Sequence, residues 1–157
     1  MSIKRSTLIY NSVTKCISYI FCNSTYQLNE LQNIDNSAPL FSLNGQIFNA
    51  KVVDVYDGDT ITCVFKLYGN YYKWKCRISH VDTPEIKTKN IEEKEKAIII
   101  RDKLKKMLLN KIIVLHCYDY DKYGRLLVEL NIPETNTRLH KWLLDNNYAK
   151  PYEGGTK

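Results

Sequence analysis

The sequence lacks the cysteine spacing of a zinc site and the paired cysteines of a disulfide-stapled domain. Its five cysteines include no Cys-x-x-Cys pair, and none of its three histidines has a second histidine or a cysteine at ligand spacing. An odd number of cysteines without such spacing favours a reducing, intracellular compartment. The sequence therefore suggests neither a zinc centre nor a disulfide framework.

Long apolar runs are also missing from the sequence. No stretch approaches the ~20 uninterrupted apolar residues that a membrane-spanning helix needs. Hydrophobic residues make up 44% of the 157 residues and charged residues 25%, which is typical of a folded globular protein. The formal net charge of +6 favours polyanionic partners without identifying one. At this length we predict one domain with an appended segment.

Residues 1–45 form that appended segment. Apolar residues recur at helical spacing from Ile9 to Ile20 and predict a short amphipathic helix, while residues 23–45 are polar and Asn-rich and predict a linker. Two interpretations of the helix stay open. It packs on the domain or on a twin subunit, or residues 1–22 contact a membrane surface or a partner, aided by acylation of Cys16 or Cys22. Lys4 and Arg5 keep a secretory signal as an alternative.

From residue 46 onward the pattern changes to short strands, and residues 46–157 are predicted to form one domain. Alternating apolar residues indicate five strands, and two amphipathic stretches indicate helices after the third and the fifth strand. This order of strands and helices fits neither a β-sandwich nor a doubly wound sheet. We therefore predict an α+β, mainly β fold, namely a five-stranded OB-fold barrel with two helices. The predicted strands are 46–56, 60–68, 71–81, 111–120 and 125–132, and the predicted helices are 91–110 and 134–148.

A hairpin joins the second and third predicted strands. Gly69-Asn70 is a two-residue turn signal, and a turn there places Cys63 opposite Cys76 on the buried face. Arg77 then points away from the core. The two cysteines are expected to be thiols in a reducing compartment.

Three polar clusters lie at strand ends or in loops, over residues 57–60, 81–85 and 121–125. Each cluster alone is also an ordinary turn signal. Among their acidic residues, Asp59, Asp82 and Glu85 are hard oxygen donors that suit Ca²⁺ or Mg²⁺ rather than zinc. Arg77 and Arg125 are candidate phosphate clamps because a planar guanidinium matches two phosphate oxygens. Convergence of these groups would permit phosphodiester hydrolysis.

Three ordered motifs carry a resemblance to a known family. "DVYDGDTI", "CRISHVDTPE" and "DYDKYGRLL" resemble the staphylococcal nuclease (thermonuclease) family over residues 46–150. The resemblance implies a five-stranded OB barrel and Ca²⁺-dependent hydrolysis of DNA and RNA, single-stranded or frayed, that leaves 3′-phosphate ends and uses no small-molecule cofactor. The segment between Glu85 and the long helix is shorter than in the bacterial enzyme.

The same resemblance implies roles for individual residues. One Ca²⁺ is bound by the carboxylates of Asp59 and Asp82 and by the backbone carbonyl of Thr83. Glu85 resembles the family's proposed general base. The two arginines that contact the scissile phosphate correspond to Arg77 and Arg125.

Substrate-binding and supporting residues follow in the same way. Lys122 and Tyr123 match residues that hold a terminal phosphate of the nucleotide. Tyr152 lies beyond the matched residues and is either a candidate for stacking a base or a disordered tail tyrosine. Asp57 and Asp121 resemble neighbours of the metal and phosphate sites. The alternative function is a catalytically silent OB-fold module that binds single strands.

Overall fold

The computed structural model describes residues 27–153. The chain divides into two compact units between Phe41 and Ser42. In the first unit residues 27–32 are helical, so the segment predicted as a linker contains a short helical stretch. The predicted amphipathic helix and its acylation sites lie outside the described residues. Within the described part of the chain, no helix is long and apolar enough to cross a membrane.

Over residues 42–153 the second unit has eight strands and two helices. The strands are β1 (Ile47–Val55), β2 (Thr60–Leu67), β3 (Asn70–Ile78), β4 (Val81–Asp82), β5 (Ile112–Tyr120), β6 (Leu126–Ile132), β7 (Thr137–Arg138) and β8 (Lys150–Pro151). The helices are α1 (Ile91–Leu108) and α2 (Leu139–Asp145). The five predicted strands and both predicted helices are present, and the second helix is shorter than predicted because residues 134–138 form a turn and β7.

Five of these strands close into a barrel. They follow the order β3-β2-β1-β5-β6, and a parallel pairing between β3 and β6 closes the ring. Alternate residues of each strand point inward, as in β6, where every second side chain is buried. Phe65, Leu115 and Leu130 are among the side chains that fill the interior. The predicted five-stranded OB barrel is confirmed.

The hairpin between β2 and β3 turns one residue earlier than predicted. Tyr68 and Gly69 occupy the turn with φ of 47° and 86°, and Leu67 pairs with Asn70. Two central residues with positive φ match the right-handed twist of the flanking strands. The prediction of a Gly69-Asn70 turn is therefore wrong.

The earlier turn changes the register by two residues. Cys63 lies opposite Trp74 and Ile61 lies opposite Cys76, so the predicted pairing of Cys63 with Cys76 is also wrong. Because the shift is even, both cysteines stay on the buried face and Arg77 stays on the other. Both cysteines are free thiols.

Two elements outside the barrel hold the loops that carry the site. Helix α1 begins at the cap residue Asn90, whose side chain accepts a hydrogen bond from Glu93 N, and Leu104 and Leu108 bury its inner face. Strands β4 and β8 form a separate two-stranded sheet in which Asp82 pairs with Lys150. This small sheet fixes the 81–85 loop to the end of the described chain.

Candidate active site

The turn between β1 and β2 positions the first carboxylate of the site. Asp57 Oδ1 accepts hydrogen bonds from the backbone N–H groups of Asp59 (3.2 Å) and Thr60 (2.8 Å). Tyr56 N donates to Thr60 O across the same turn at 2.9 Å. Asp57 thus shapes the turn, and Asp59 lies at the start of β2 with only 7% of its surface exposed.

Gly58 brings this turn into direct contact with the 81–85 loop. A Cβ atom at position 58 would lie 2.7 Å from both Cβ and Oγ1 of Thr83, closer than real Cβ contacts allow. Thr83 is itself buried. The absence of a side chain at Gly58 therefore lets the two carboxylate-bearing loops pack together.

Replacing Gly58 by alanine is expected to lower the free energy of unfolding by about 1–3 kcal/mol, because one of the two loops must move. Thermal or denaturant unfolding measures the loss. In a Thr83→Gly background all three crowding atoms are gone, so the same substitution should cost little and the double-mutant cycle should show coupling of about 1 kcal/mol or more. Equal costs in both backgrounds would contradict the contact.

Arg77 connects the two loops electrostatically. Its Nη1 donates to the carbonyls of Ile78 and Val81, each at 3.0 Å. Its Nη2 lies 3.2 Å from Asp59 Oδ2 and 3.7 Å from Asp82 Oδ1. The Arg77 side chain is 12% exposed and Asp59 10%, so this ion pair is largely removed from solvent. One guanidinium therefore faces both of the carboxylates that the sequence singled out as metal ligands.

Burial raises the pKa of the Asp59 carboxyl above its ordinary value of 3.8. Arg77 opposes this shift, whereas the nearby charge of Asp57 adds to it. The Asp59 carboxylate also accepts a hydrogen bond from Thr60 Oγ1 at 2.9 Å. Burial thus outweighs the attraction of Arg77, and a cation bound beside Asp59 would favour the charged form of this carboxyl.

Arg125 is held at the site by Asp121 and by Thr60. Its Nε lies 2.7 Å from Asp121 Oδ2, and its Nη1 donates to Thr60 Oγ1 at 2.9 Å. Asp121 Oδ1 also accepts from the backbone N–H groups of Arg125 and Tyr123, each at 2.9 Å. Thr60 therefore links the two halves of the site, since its hydroxyl contacts both Arg125 and Asp59.

Replacing Asp121 by asparagine is expected to lower the free energy of unfolding by about 1–3 kcal/mol at neutral pH. Burial acts to raise the Asp121 pKa, but hydrogen bonds from Arg125 and Tyr123 outweigh it, so the pKa lies below its ordinary value of 3.8. A depressed pKa stabilises the fold above 3.8, and that contribution is lost as the pH falls through the folded value.

Denaturant unfolding of the wild type and of Asp121→Asn at several pH values measures this contribution. The difference between the two proteins should be constant near neutral pH and should shrink as the medium becomes more acidic than pH 4 or so. A difference that persists undiminished in acid would show that the Asp121 charge does not contribute.

Glu85 lies at the exposed edge of the site. Its backbone N–H donates to Glu93 Oε1 at 3.3 Å, and Thr88 Oγ1 donates to Glu93 Oε2 at 2.9 Å. Because Glu93 belongs to the first turn of α1, the helix fixes the short loop that follows Glu85. The hydrogen bonds to Glu93 thus hold in place the loop that carries the Glu85 carboxylate.

Aromatic rings cover both arginines. The Tyr152 ring centroid lies 5.3 Å from Cζ of Arg77, and the Tyr123 ring centroid lies 5.6 Å from Cζ of Arg125. Lys122 Nζ lies 5.2 Å from the same Tyr123 ring. Tyr152 N donates to His80 O at 3.0 Å, which continues the pairing of β8 with β4 and holds the tyrosine in place.

These groups surround one cleft of about 970 Å³. Of the residues singled out from the sequence, the cleft is lined by Asp57, Asp59, Arg77, Asp82, Thr83, Glu85, Lys122, Tyr123, Arg125 and Tyr152. Asp121 does not line it and acts through Arg125. Elements far apart in sequence therefore bring the three motifs to one place.

Sequence reasoning missed several other residues of the cleft. Thr60 belongs to the first motif but received no role, although its hydroxyl joins Asp59 to Arg125. Strand alternation predicts that Lys75 shares the face of β3 that carries Arg77, but the sequence analysis gave Lys75 no role in the site. Lys87 and Tyr56 form a cation–π pair at 5.8 Å, for which the sequence gives no signal.

The oxygen donors of the cleft fit a hard divalent cation. In residues 27–153 no three His, Cys, Asp or Glu side chains are placed to hold a metal ion. Two carboxylates, Asp59 and Asp82, and Thr83 nevertheless line the same cleft, and burial raises the pKa of the Asp59 carboxyl. Such a set suits Ca²⁺, whose remaining positions water can fill.

Comparison with known proteins identifies the family. The chain is 27% identical over 169 residues to an uncharacterized protein of Methanocaldococcus jannaschii, an alignment that covers 94% of this chain and 79% of that protein. The family model described as "Staphylococcal nuclease homologue" matches residues 75–156, just over half of the chain. Membership supports a nuclease-like or nucleic-acid-binding OB fold. With its closed barrel and its three motifs around one cleft, the chain belongs to the staphylococcal nuclease homologue family.

Proposed function

We propose that this protein is a Ca²⁺-dependent nuclease that hydrolyses phosphodiester bonds of DNA and RNA and leaves 3′-phosphate ends. The observation that carries the proposal is that Arg77 and Arg125 reach one cleft together with Asp59, Asp82 and Glu85. Two guanidinium groups can stabilise the negative charge that grows on the phosphate oxygens in the transition state, and carboxylates can hold a cation or activate water.

The two arginines are suited to hold the scissile phosphate. The Arg125 hydrogen bonds use Nε and Nη1, and in the described chain Nη2 has no hydrogen-bond partner, so it can donate to a phosphate oxygen. Arg77 uses Nη1 for two backbone carbonyls and Nη2 for Asp59 and Asp82, and in the described chain its Nε has no hydrogen-bond partner, so Nε can donate to a phosphate oxygen. Donors fixed before the reaction stabilise developing charge without reorganisation.

The carboxylates divide into two groups by burial. Asp59 is buried and Asp82 is half-buried, and with Thr83 they would hold Ca²⁺. When bound, this ion supplies positive charge beside the phosphate oxygens. Glu85 is exposed at the cleft edge, where its carboxylate can orient water and accept a proton from it.

The aromatic and basic residues of the cleft fit a strand without reading its sequence. Tyr123, Tyr152 and Lys122 offer ring faces and a charge, which stack on any base and contact any phosphate. Indifference to base and sugar follows, since phosphates and ring faces are common to DNA and RNA. Stacking needs exposed bases, so single-stranded or frayed substrates are favoured.

Digestion of single-stranded DNA with Ca²⁺, with Mg²⁺ and with a chelator tests the proposal. We expect cleavage with Ca²⁺, none with chelator, and a rate about 10²–10⁴-fold lower in the Glu85→Gln variant, whose folding circular dichroism checks. End-group analysis should find 3′-phosphates. Salt-sensitive binding without cleavage would overturn the nuclease proposal in favour of a silent binding module.

A further inference from the structure

Basic side chains continue outward from the cleft along β3. Alternate residues of a strand face opposite sides, so Arg77, Lys75 and Lys73 share the face opposite to buried Cys76 and Ile78. Arg77 and Lys75 line the cleft, whereas Lys73 is exposed beyond it. The row therefore begins at the scissile-phosphate position and leads away from it.

Neighbouring strands widen this row. Val64 of β2 pairs with Lys73 of β3 on one side and with Lys51 of β1 on the other, so the three side chains share one face of the sheet. Further out, Lys66 pairs with Tyr71, and Lys66 Nζ lies 5.9 Å from the Tyr71 ring centroid. We call this set, Lys51, Lys66, Lys73 and Lys75 with Tyr71, the lysine track.

The lysines of the track carry their charge without ion pairs in the part of the chain that the structure describes. Across residues 27–153 none of its four lysines makes an ion pair. Other exposed cations do, as in the pair between Lys111 and Glu134. One acidic residue, Asp54 of β1, shares this face, since it pairs with Thr62 of β2, which in turn pairs with Lys75 of β3. The Asp54 carboxylate accepts a hydrogen bond from the backbone N–H of Val55. The track thus concentrates positive charge beside the cleft.

We propose that the lysine track binds the continuation of a single-stranded nucleic acid whose scissile phosphate lies in the cleft. The inference rests on the proposed nuclease function, which it deepens by naming where a longer strand runs. Lysine Nζ groups contact backbone phosphates without base specificity, and Tyr71, a residue that is 73% exposed, offers a ring face on which an unpaired base stacks.

The geometry favours a single strand over a duplex. Successive track positions on β3 are about 6.8 Å apart, a repeat that an extended single strand can follow with one phosphate at each position. From Lys75 to Tyr71 the track extends about 14 Å, enough for about two further nucleotides. The exposed Tyr71 ring can stack on an unpaired base. In an intact duplex every base face is already stacked, so the ring would gain no such contact.

Binding of two labelled oligothymidylates tests the track. The probes are a dinucleotide, which fills only the cleft, and a strand of about 12 nucleotides, which reaches past the track. The full chain carries Glu85→Gln to limit cleavage, and fluorescence anisotropy is measured with Ca²⁺ over a range of salt concentrations. The track variant combines Lys51→Gln, Lys66→Gln and Lys73→Gln, all at exposed positions.

A matched control removes the same charge elsewhere. Lys94→Gln, Lys96→Gln and Lys106→Gln replace three exposed lysines of α1, outside the track. Circular dichroism checks that both variants are folded. The track variant should bind the long strand about tenfold or more weakly at low salt, with a salt slope smaller by about 2, and should bind the dinucleotide normally. The control should match the wild type on both probes.

Two results would overturn the track. Equal losses in the track and control variants would show a general effect of net charge, and unchanged long-strand binding in the track variant would show that the strand leaves the cleft elsewhere. The same experiments distinguish failure of the track from failure of the proposed nuclease activity. A wild type that binds the long strand through these lysines but does not cleave it keeps the track and overturns the nuclease.

Discussion

Replacing Arg77 by alanine is expected to lower kcat/KM for single-stranded DNA by about 10³-fold or more. Arg77 lines the cleft and lies within ion-pair distance of both Asp59 and Asp82. On the proposed function, its removal deletes a fixed positive charge beside the phosphate, which becomes more negative in the transition state. Initial rates with Ca²⁺ above and below saturating substrate separate the loss in kcat from any change in KM.

The same substitution is expected to destabilise the fold, because Arg77 also holds the structure together. Alanine leaves the carbonyls of Ile78 and Val81 without their donor and leaves the buried Asp59 carboxylate without its main partner. Losing one member of such a buried pair costs about 3–5 kcal/mol. Rates must therefore be measured at a temperature where circular dichroism shows the variant to be folded.

Arg77→Lys separates charge from geometry. Lysine keeps the positive charge but has no planar fork, so it cannot bind both carbonyls and a phosphate at once. We expect its activity to stay at least about 10²-fold below that of the wild type although it is more stable than Arg77→Ala. A lysine variant with activity within tenfold of the wild type would contradict the assigned role and reduce Arg77 to a structural ion pair.

The barrel could be predicted from the sequence because its strands are long and alternate regularly. Strands such as β2 and β6 bury every second side chain, and that period of two is visible in the residues themselves. The register of the β2–β3 hairpin could not be read in the same way. It depends on which residues adopt positive φ, and Tyr68 carries no turn signal although it occupies the first turn position.

The sequence predicted the site residues that belong to the three motifs. It did not predict the contacts between residues of distant strands and loops. Asp59 and Asp82 stand out in their motifs, but their shared contact with Arg77 depends on the closed barrel. The position of Tyr152 depends on β4 and β8, strands of two residues each, which are too short to leave a periodic pattern. The sequence thus predicted which side chains belong to the site, whereas the distances between them depend on the fold.

Replacing Asp59 by asparagine is expected to weaken Ca²⁺ binding by about 100-fold or more and to lower activity correspondingly at subsaturating Ca²⁺. The amide is nearly the same shape and keeps an oxygen that can accept the Thr60 hydroxyl hydrogen bond. What it loses is the charge of a buried carboxylate, which is the property that a hard cation recognises. Calorimetric titration with Ca²⁺ measures the change independently of catalysis.

Asp57→Asn is the matched control, because it removes the same charge two residues away in the same cleft. Asp57 uses its Oδ1 to accept the backbone N–H groups of Asp59 and Thr60, and asparagine can do the same. We therefore expect Asp57→Asn to change Ca²⁺ affinity by only a few-fold, through the long-range charge alone. Excess Ca²⁺ should restore much of the activity of Asp57→Asn and little of that of Asp59→Asn.

Comparing the Ca²⁺ affinities of Asp59→Asn and Asp57→Asn shows whether Asp59 is a direct Ca²⁺ ligand. If Asp59 is a ligand, charge at position 59 matters far more than charge at position 57, although both carboxylates line one cleft. Equal losses would mean that the cleft attracts Ca²⁺ only through its summed negative charge. Unchanged Ca²⁺ binding in Asp59→Asn would assign this carboxylate to Arg77 alone, as the partner that fixes the phosphate-binding guanidinium.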